Sequence, residues 1–241
     1  MKEKVLLIIP AYNEEENILK TYNTILNYNK KYKTNYDVIV INDGSRDSTS
    51  FICHENNIPV IDLIHNLGIG GAVQTGYKYA YENYYDIAVQ FDGDGQHDVR
   101  YVKNIIEPII NKKADMVIGS RFVGDIDTFK STFARRIGIG IISICMKIVT
   151  GKKIYDTTSG FRASSKELIY DFSLSYPNEY PEPITTAEIL KKKYEVLEVP
   201  VEMNEREAGT SSIKTWKKAY YMINVCLALA VVKIRRYKRC R

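Results

Sequence analysis

The chain has 241 residues, 45% of them hydrophobic and 26% charged, with 34 Lys and Arg against 29 Asp and Glu. This is the composition of an ordinary globular protein, long enough to bury a core without staples. It excludes a disordered chain, a collagen-like repeat and a many-spanning membrane protein. The net charge of +5 is unevenly placed: residues 214–241 hold nine basic side chains and no acid, which leaves residues 1–213 at −4.

From the N-terminus, Val5–Ile9 is an unbroken apolar run ended by Pro10, the pattern of a strand buried on both faces. Ile18, Tyr22, Ile25 and Leu26 recur at helical spacing and predict a helix over 14–29. Asp37–Ile41 reads as a second buried strand, stopped by Asn42-Asp43-Gly44-Ser45. A short helix over 47–54 leads to a third strand, Val60–Ile64. A helix over 70–84, a strand over 87–91, a helix over 99–110 and a strand over 115–119 continue the alternation. This order predicts an α/β fold with a Rossmann-like, mostly parallel sheet flanked by helices. Repeats and low-complexity linkers are absent, so the expectation is one domain over 1–213 and a basic C-terminal helix and tail over 214–241.

Ligands of open α/β sheets sit outside the carboxyl ends of the strands. The polar clusters fall at those ends: Ala11-Tyr12-Asn13-Glu14, Asn42-Asp43-Gly44-Ser45 and Asp92-Gly93-Asp94. Asp92 and Asp94 are two carboxylates at i and i+2 with glycines between and after them. Such hard oxygen ligands suit Mg²⁺ or Mn²⁺ bound jointly with substrate phosphates. An EF-hand is excluded by spacing. Gly68-Ile69-Gly70-Gly71 follows the third strand rather than the first, and Val73 stands where a dinucleotide fingerprint needs glycine. It reads instead as a tight loop beside a ligand. Walker A, H-E-x-x-H and G-x-S-x-G motifs are absent. His54, His65 and His97 are too scattered for zinc, although His97 adjoins the carboxylate pair. The four cysteines form no C-x-x-C pair, so a reducing compartment fits better than a disulfide framework. The N-terminal apolar run is too short for a signal peptide, which predicts a cytoplasmic location.

Ala219–Val232 is a 14-residue apolar stretch interrupted only by Asn224. As a helix it spans about 21 Å, short of the roughly 30 Å hydrocarbon core but suited to the membrane interface with its basic end on anionic headgroups. Ile137–Val149 is a second stretch of this kind, preceded by Arg135-Arg136. The two are expected either to form a membrane-facing platform or to pack as a buried hairpin. Nucleic acid is not expected as a partner.

The set Ile9-Pro10-Ala11-Tyr12-Asn13-Glu14, Val40-Ile41-Asn42-Asp43-Gly44-Ser45, Asn66-x-Gly68, Phe91-Asp92-Gly93-Asp94-Gly95-Gln96 and Gly119-Ser120-Arg121-Phe122 resembles the family 2 glycosyltransferases with the GT-A fold. Within them it is similar to the dolichol-phosphate mannose synthase group and the bacterial polyprenyl-phosphate sugar transferases. Asp156–Arg162, Glu198–Val201 and Glu205–Ser212 extend the resemblance over about residues 4–215.

The resemblance implies inverting transfer of a sugar from a UDP- or GDP-linked donor to a polyprenyl phosphate, peripheral on the inner face of the cell membrane. It implies that Pro10, Ala11, Tyr12, Glu14 and Asp43 hold base and ribose, with Gly70 in the loop beside them and Asp92 at the diphosphate. Asp92, Asp94 and Gln96 would bind the metal, Mg²⁺ or Mn²⁺. Arg121, Arg206 and Ser211 would meet donor or acceptor phosphates, while Asp156, Ser159 and Arg162 would line the acceptor side. Ser211-Ser212 stands where the mannose synthases carry Ser-Lys, which leaves the sugar open.

Pro177–Pro183 reads as a Pro-rich surface loop near the place where enzymes with hydroxyl acceptors keep their base, and Glu182 is the candidate there. The alternatives are transfer to a sugar hydroxyl of a growing polysaccharide, with Glu182 or Asp156 as base, and a silent nucleotide-sugar-binding regulatory subunit. A small integral membrane protein is a further expected partner.

Overall fold

The computed structural model describes residues 3–124, 133–203, 215–237 and 239. The apolar runs become strands: β1 Val5–Ala11, β2 Tyr36–Asn42, β3 Val60–Asp62, β4 Ile87–Gln90 and β5 Met116–Ser120, with β6 Arg162–Ser165 and β7 Val196–Pro200 following. They form one seven-stranded sheet in the order β3-β2-β1-β4-β6-β5-β7, in which only β6 runs antiparallel to its neighbours.

Helices α1 Ile18–Tyr32, α2 Thr49–Glu55, α3 Gly68–Glu82 and α4 Val102–Ile110 fill the first half. The second half adds α5 Phe133–Thr150, α6 Lys166–Leu174, α7 Pro181–Lys191 and α8 Thr215–Ile234. Strand β1 is buried on both faces: Leu6 and Ile8 join a cluster with α3, α6, α7, α5 and α8, and Val5, Leu7 and Ile9 join one with α1 and α4.

The chain leaves β1 toward β2 and β3 on one side and returns to β4 on the other, which makes the β1/β4 boundary the topological switch point. A crevice at the carboxyl ends is expected there.

Two sequence expectations change. Helix α1 begins at Ile18 rather than residue 14, because the Glu14 N–H donates to Thr49 Oγ1 and the Glu14 carbonyl accepts from Asn17 and Ile18. Pro177–Pro183 is not wholly a surface loop. Pro181 occupies the first helical position of α7, where no N–H is needed and its fixed φ suits the helix. From the sequence the C-terminal helix is expected either on a membrane-facing platform or packed in the domain. It packs on α5 and α7, and Val225, Leu229 and Val232 are core residues, so it shares the domain's core. Among the described residues no helix is long and apolar enough to cross a membrane.

Candidate active site

A cleft of about 560 Å³ opens at the switch point. It is lined by Pro10, Ala11, Tyr12, Glu14, Asp43 and Asn66, by Asp92, Gly93 and Asp94, and by Gln90, Thr158, Gly160 and Glu182. The loops after β1, β2 and β4 thus converge as their polar ends predicted.

Asp43 is nearly buried. Its Oδ1 accepts the Leu67 N–H at 2.7 Å, and its carbonyl accepts from Asn66 Nδ2 at 3.0 Å, so it ties the β2 loop to the start of α3. Glu14 Oε2 accepts from Asn17 Nδ2 at 3.0 Å.

Gly70 departs from its expected place. It lies in the first turn of α3, where a Cβ would sit 2.1 Å from the Pro177 carbonyl oxygen, and the cleft is lined by Gly68 and Ile69 instead. Close packing against residues 177–178 accounts for this glycine.

The β4 loop is held by His97, which is buried. Its Nδ1 accepts the Asp92 N–H at 2.9 Å, its Nε2 lies 3.3 Å from Asp92 Oδ2, and its ring stacks on Phe161 at 4.7 Å. Burial pushes its pKa down to about 3, with the Arg121 charge acting the same way and Asp94 and Asp156 opposing, so the imidazole is neutral. Asp94 Oδ1 accepts the Gln96 N–H at 3.0 Å. Gln96 does not line the cleft; its described part in the loop is this backbone bond. Among the described residues no group of three or more His, Cys, Asp or Glu is placed to hold a metal ion unaided. Asp92 and Asp94 fit a divalent cation that completes its shell with substrate oxygens, because both are hard carboxylates at one wall of an open cleft.

Arg121 and Asp156 are turned toward each other. Arg121 donates from Nε and Nη2 to the two Asp156 oxygens at 2.8 Å each, and its backbone N–H adds a bond of 3.1 Å. Both side chains are buried. Glu198 holds the same turn, accepting the Tyr155 and Asp156 N–H groups at 2.8 and 2.7 Å, and burial raises its pKa. Asp156 is therefore an orienting carboxylate inside a bidentate pair rather than an exposed base.

Ser159 and Arg162, expected on the acceptor side, are each 1% exposed and reach into the protein. Ser159 Oγ donates to the Gly119 carbonyl at 2.7 Å. Arg162 donates to the Ser159 carbonyl, the Glu182 carbonyl and the Thr185 and Thr186 hydroxyls at 2.7–3.1 Å. It is a buried tie between β6 and the first turn of α7. Glu182 is thereby brought into the cleft. Burial raises its pKa, the neighbouring Asp92 charge adds to this, and the Arg162 charge, its own backbone N–H and the polar Gln90 amide nearby work against it. Arg206 and Ser211 lie outside the described residues.

Thr158 and Gly160 belong to the Asp156–Arg162 motif but carry no assigned role in the sequence reading, and Gln90 is missed there altogether. Gln90 had a signal: it lies two residues before Asp92 at a strand end, hence on the same side.

The seven-stranded α/β sheet flanked by helices is that of the GT-A scaffold of glycosyltransferases. Glucosyl-3-phosphoglycerate synthase from Mycobacterium tuberculosis, solved with Mn²⁺, UDP and phosphoglyceric acid, superposes with a TM-score of 0.70 over 96% of this chain and 79% of its own, at 17% identity. Mannosyl-3-phosphoglycerate synthase from Rubrobacter xylanophilus gives 0.71 over 95% and 73%, at 14% identity.

The family model described as Glycosyl transferase family 2 matches residues 6–172, and the chain belongs to that family of enzymes. Its relatives include the UDP-N-acetylglucosamine–dolichyl-phosphate N-acetylglucosaminyltransferase of Methanococcus voltae, 35% identical over 83% of this chain and 86% of the relative. The undecaprenyl-phosphate mannosyltransferase of Micrococcus luteus is 28% identical over 92% of each chain.

Proposed function

We propose that the protein transfers a sugar from a nucleoside-diphosphate sugar to a polyprenyl phosphate at the cytoplasmic face of a membrane, with inversion at the anomeric carbon. The relatives named above act on dolichyl and undecaprenyl phosphates. One structural observation carries the lipid acceptor. Helices α5 and α8 pack side by side and bury Ile142, Met146, Val225 and Leu229, yet leave Ile144, Ile148, Leu227 and Val231 exposed. A pair of helices with apolar residues on both sides needs a second apolar environment, and an interfacial lipid surface supplies one.

The basic tail adds less charge to that surface than the sequence implied. Arg239 pairs with Asp115 at 3.2 Å and lies over the Tyr194 ring, and Arg235 approaches Glu188 at 4.0 Å. Lys233 and Arg236 are exposed beside the apolar residues. Residues 1–213 would then be the transfer domain and 214–241 the docking element, a functional division within one core.

In this reading Pro10, Ala11, Tyr12, Glu14 and Asp43 hold base and ribose, and Asp92 and Asp94 hold Mg²⁺ or Mn²⁺. The chemistry a bound cation supplies there is Lewis-acid stabilisation of the charge on the departing diphosphate. His97 keeps Asp92 in place, and the Arg121–Asp156 pair shapes the neighbouring turn. Arg206 and Ser211 are assigned to the phosphates. Their segment follows Met203, whose backbone bridges that of His97. A phosphate monoester, with its second pKa near about 6, is already largely dianionic at pH 7 and attacks without a base.

The test is transfer of radiolabelled sugar from UDP- and GDP-linked donors to undecaprenyl and dolichyl phosphate, with Mg²⁺ or Mn²⁺ and with EDTA. Label is expected in the organic phase and lost with EDTA. Label only on a soluble or lipid-linked glycan hydroxyl would replace this reading with the elongating one.

A further inference from the structure

We infer that Gln90 and Glu182 form the subsite for the donor's sugar, and that this subsite selects a neutral hexose over a hexuronate. The inference rests on the transferase reading above and assigns the lining residues to which that reading gives no role.

The geometry is compact. A Cβ on Gly160 would lie 3.2 Å from Gln90 Nε2 and 3.3 Å from Asp92 Oδ1, so the amide and the carboxylate converge on the one residue whose missing side chain leaves room between them. Glu182 stands near enough to sense both Gln90 and Asp92. All four residues line the cleft. In that reading the sugar is joined directly to the phosphate held at Asp92 and Asp94, so the groups clustered about Asp92 are placed to meet it.

Glu182 is also held firmly. Its carbonyl accepts from Arg162 Nη1 at 2.8 Å and from the Thr186 hydroxyl at 2.7 Å, which fixes the first turn of α7 against the buried guanidinium. Arg162 makes its described bonds to carbonyl and hydroxyl oxygens and none to the Glu182 carboxylate. The carboxylate is thus left for the cleft.

What such a subsite takes follows from its donors and acceptors. Gln90 is 1% exposed, and its Oε1 accepts no hydrogen bond among the described residues, an unusual state for a buried polar atom. Glu182 offers two further acceptor oxygens. Two acceptor groups without a cation at the surface match sugar hydroxyls, which donate. A hexuronate would bring another carboxylate against Glu182 and be repelled. A transfer to phosphate needs no base, so binding the donor accounts for Glu182 where proton abstraction does not.

The test measures binding in the absence of acceptor, by calorimetry with Mn²⁺. The probes are UDP, UDP-glucose and UDP-glucuronate, with GDP, GDP-mannose and GDP-mannuronate in parallel. Glu182→Gln removes charge and keeps size; its neutral-sugar donors are expected to bind about tenfold more weakly and its hexuronate donors more tightly, with the free nucleoside diphosphate unchanged. Glu182→Ala should weaken the neutral donors at least as much. Unchanged discrimination with diphosphate binding intact overturns the subsite alone, as does equal weakening of both donor types. Failure of the wild-type protein to bind either nucleoside diphosphate overturns the transferase reading and the subsite with it.

Discussion

The loops that follow β4 and β5 make opposite use of the same residue types. After β4, Asp92 and Asp94 line the cleft, supported from behind by a neutral histidine and by backbone N–H groups. After β5, Arg121 is consumed by Asp156, and Glu198 ties down the backbone on the far side. One loop turns its carboxylates to the cleft and the other pairs its charges within the fold. The lesson is that a carboxylate near a site is defined by its partners, which sequence spacing does not reveal.

The sharpest test of that contrast is to exchange one carboxylate in each loop. Asp94→Ala should abolish sugar transfer, by at least about 10³-fold, on the scale of removing a main electrostatic stabiliser of transition-state charge. The thermal midpoint should stay within a few degrees of wild type, as read by calorimetry. Asp156→Asn should do the reverse in kind. Removing one member of a buried bidentate pair strands the other charge and costs about 3–5 kcal/mol of stability. Urea unfolding should show that loss, while nucleoside-diphosphate binding below the transition stays within a fewfold of wild type. A stable Asp156→Asn protein that binds donor but does not turn over would return Asp156 to catalysis and break the contrast.

These residues also show where sequence reading stops. Strands β1, β2 and β4 are legible because burial on both faces demands unbroken apolar runs, and the cleft was legible because polar residues interrupt those runs at the strand ends. Strand β6, Arg-Ala-Ser-Ser, carries no such run. It is buried all the same, because Tyr77 bonds Ser164 and the Arg162 guanidinium finds carbonyls and hydroxyls within the fold. Pro181 and Pro183 suggest a loop unless Pro181 is seen to open α7. Cys145 and Cys226 lie 81 positions apart with no motif between them, yet their sulfurs approach to 3.3 Å where α5 meets α8. Each of these depends on a partner distant in the chain, and composition cannot supply one.

His97 sharpens the contrast on its open side. His97→Phe keeps the ring stack on Phe161 and removes both polar contacts with Asp92. Mn²⁺ affinity measured with UDP or GDP present should fall about 10–100-fold, the usual cost of losing a residue that orients a metal ligand. The substitution has a second signature. The folded-state pKa of His97 is pushed down to about 3, so between about pH 6.5 and that value the unfolded chain takes a proton that the folded chain refuses. Wild-type stability therefore declines as pH falls through this window, and the His97→Phe protein should show a shallower decline. An unchanged slope with normal metal affinity would make His97 mere packing.

The smallest predicted effect tests a contrast between the faces of the α5/α8 pair. Leu229 is buried and Leu227 is 60% exposed on the same helix, two residues apart. Leu227→Ser removes apolar surface that the folded protein leaves in water, so its thermal midpoint should scarcely move, whereas Leu229→Ser opens the core and lowers it. On vesicles containing anionic lipid the order reverses. Leu227→Ser should weaken sedimentation with the vesicles about fivefold, roughly 1 kcal/mol for one partly inserted side chain, and Ile144→Ser on the neighbouring helix should do the same. Equal vesicle binding by wild type and both variants would remove the lipid surface as the occupant of that face. A protein partner, such as the small integral membrane protein the sequence raised, would then be the occupant to test. The transfer chemistry would stand, because Asp92, Asp94 and Glu182 line the cleft and not this helix face.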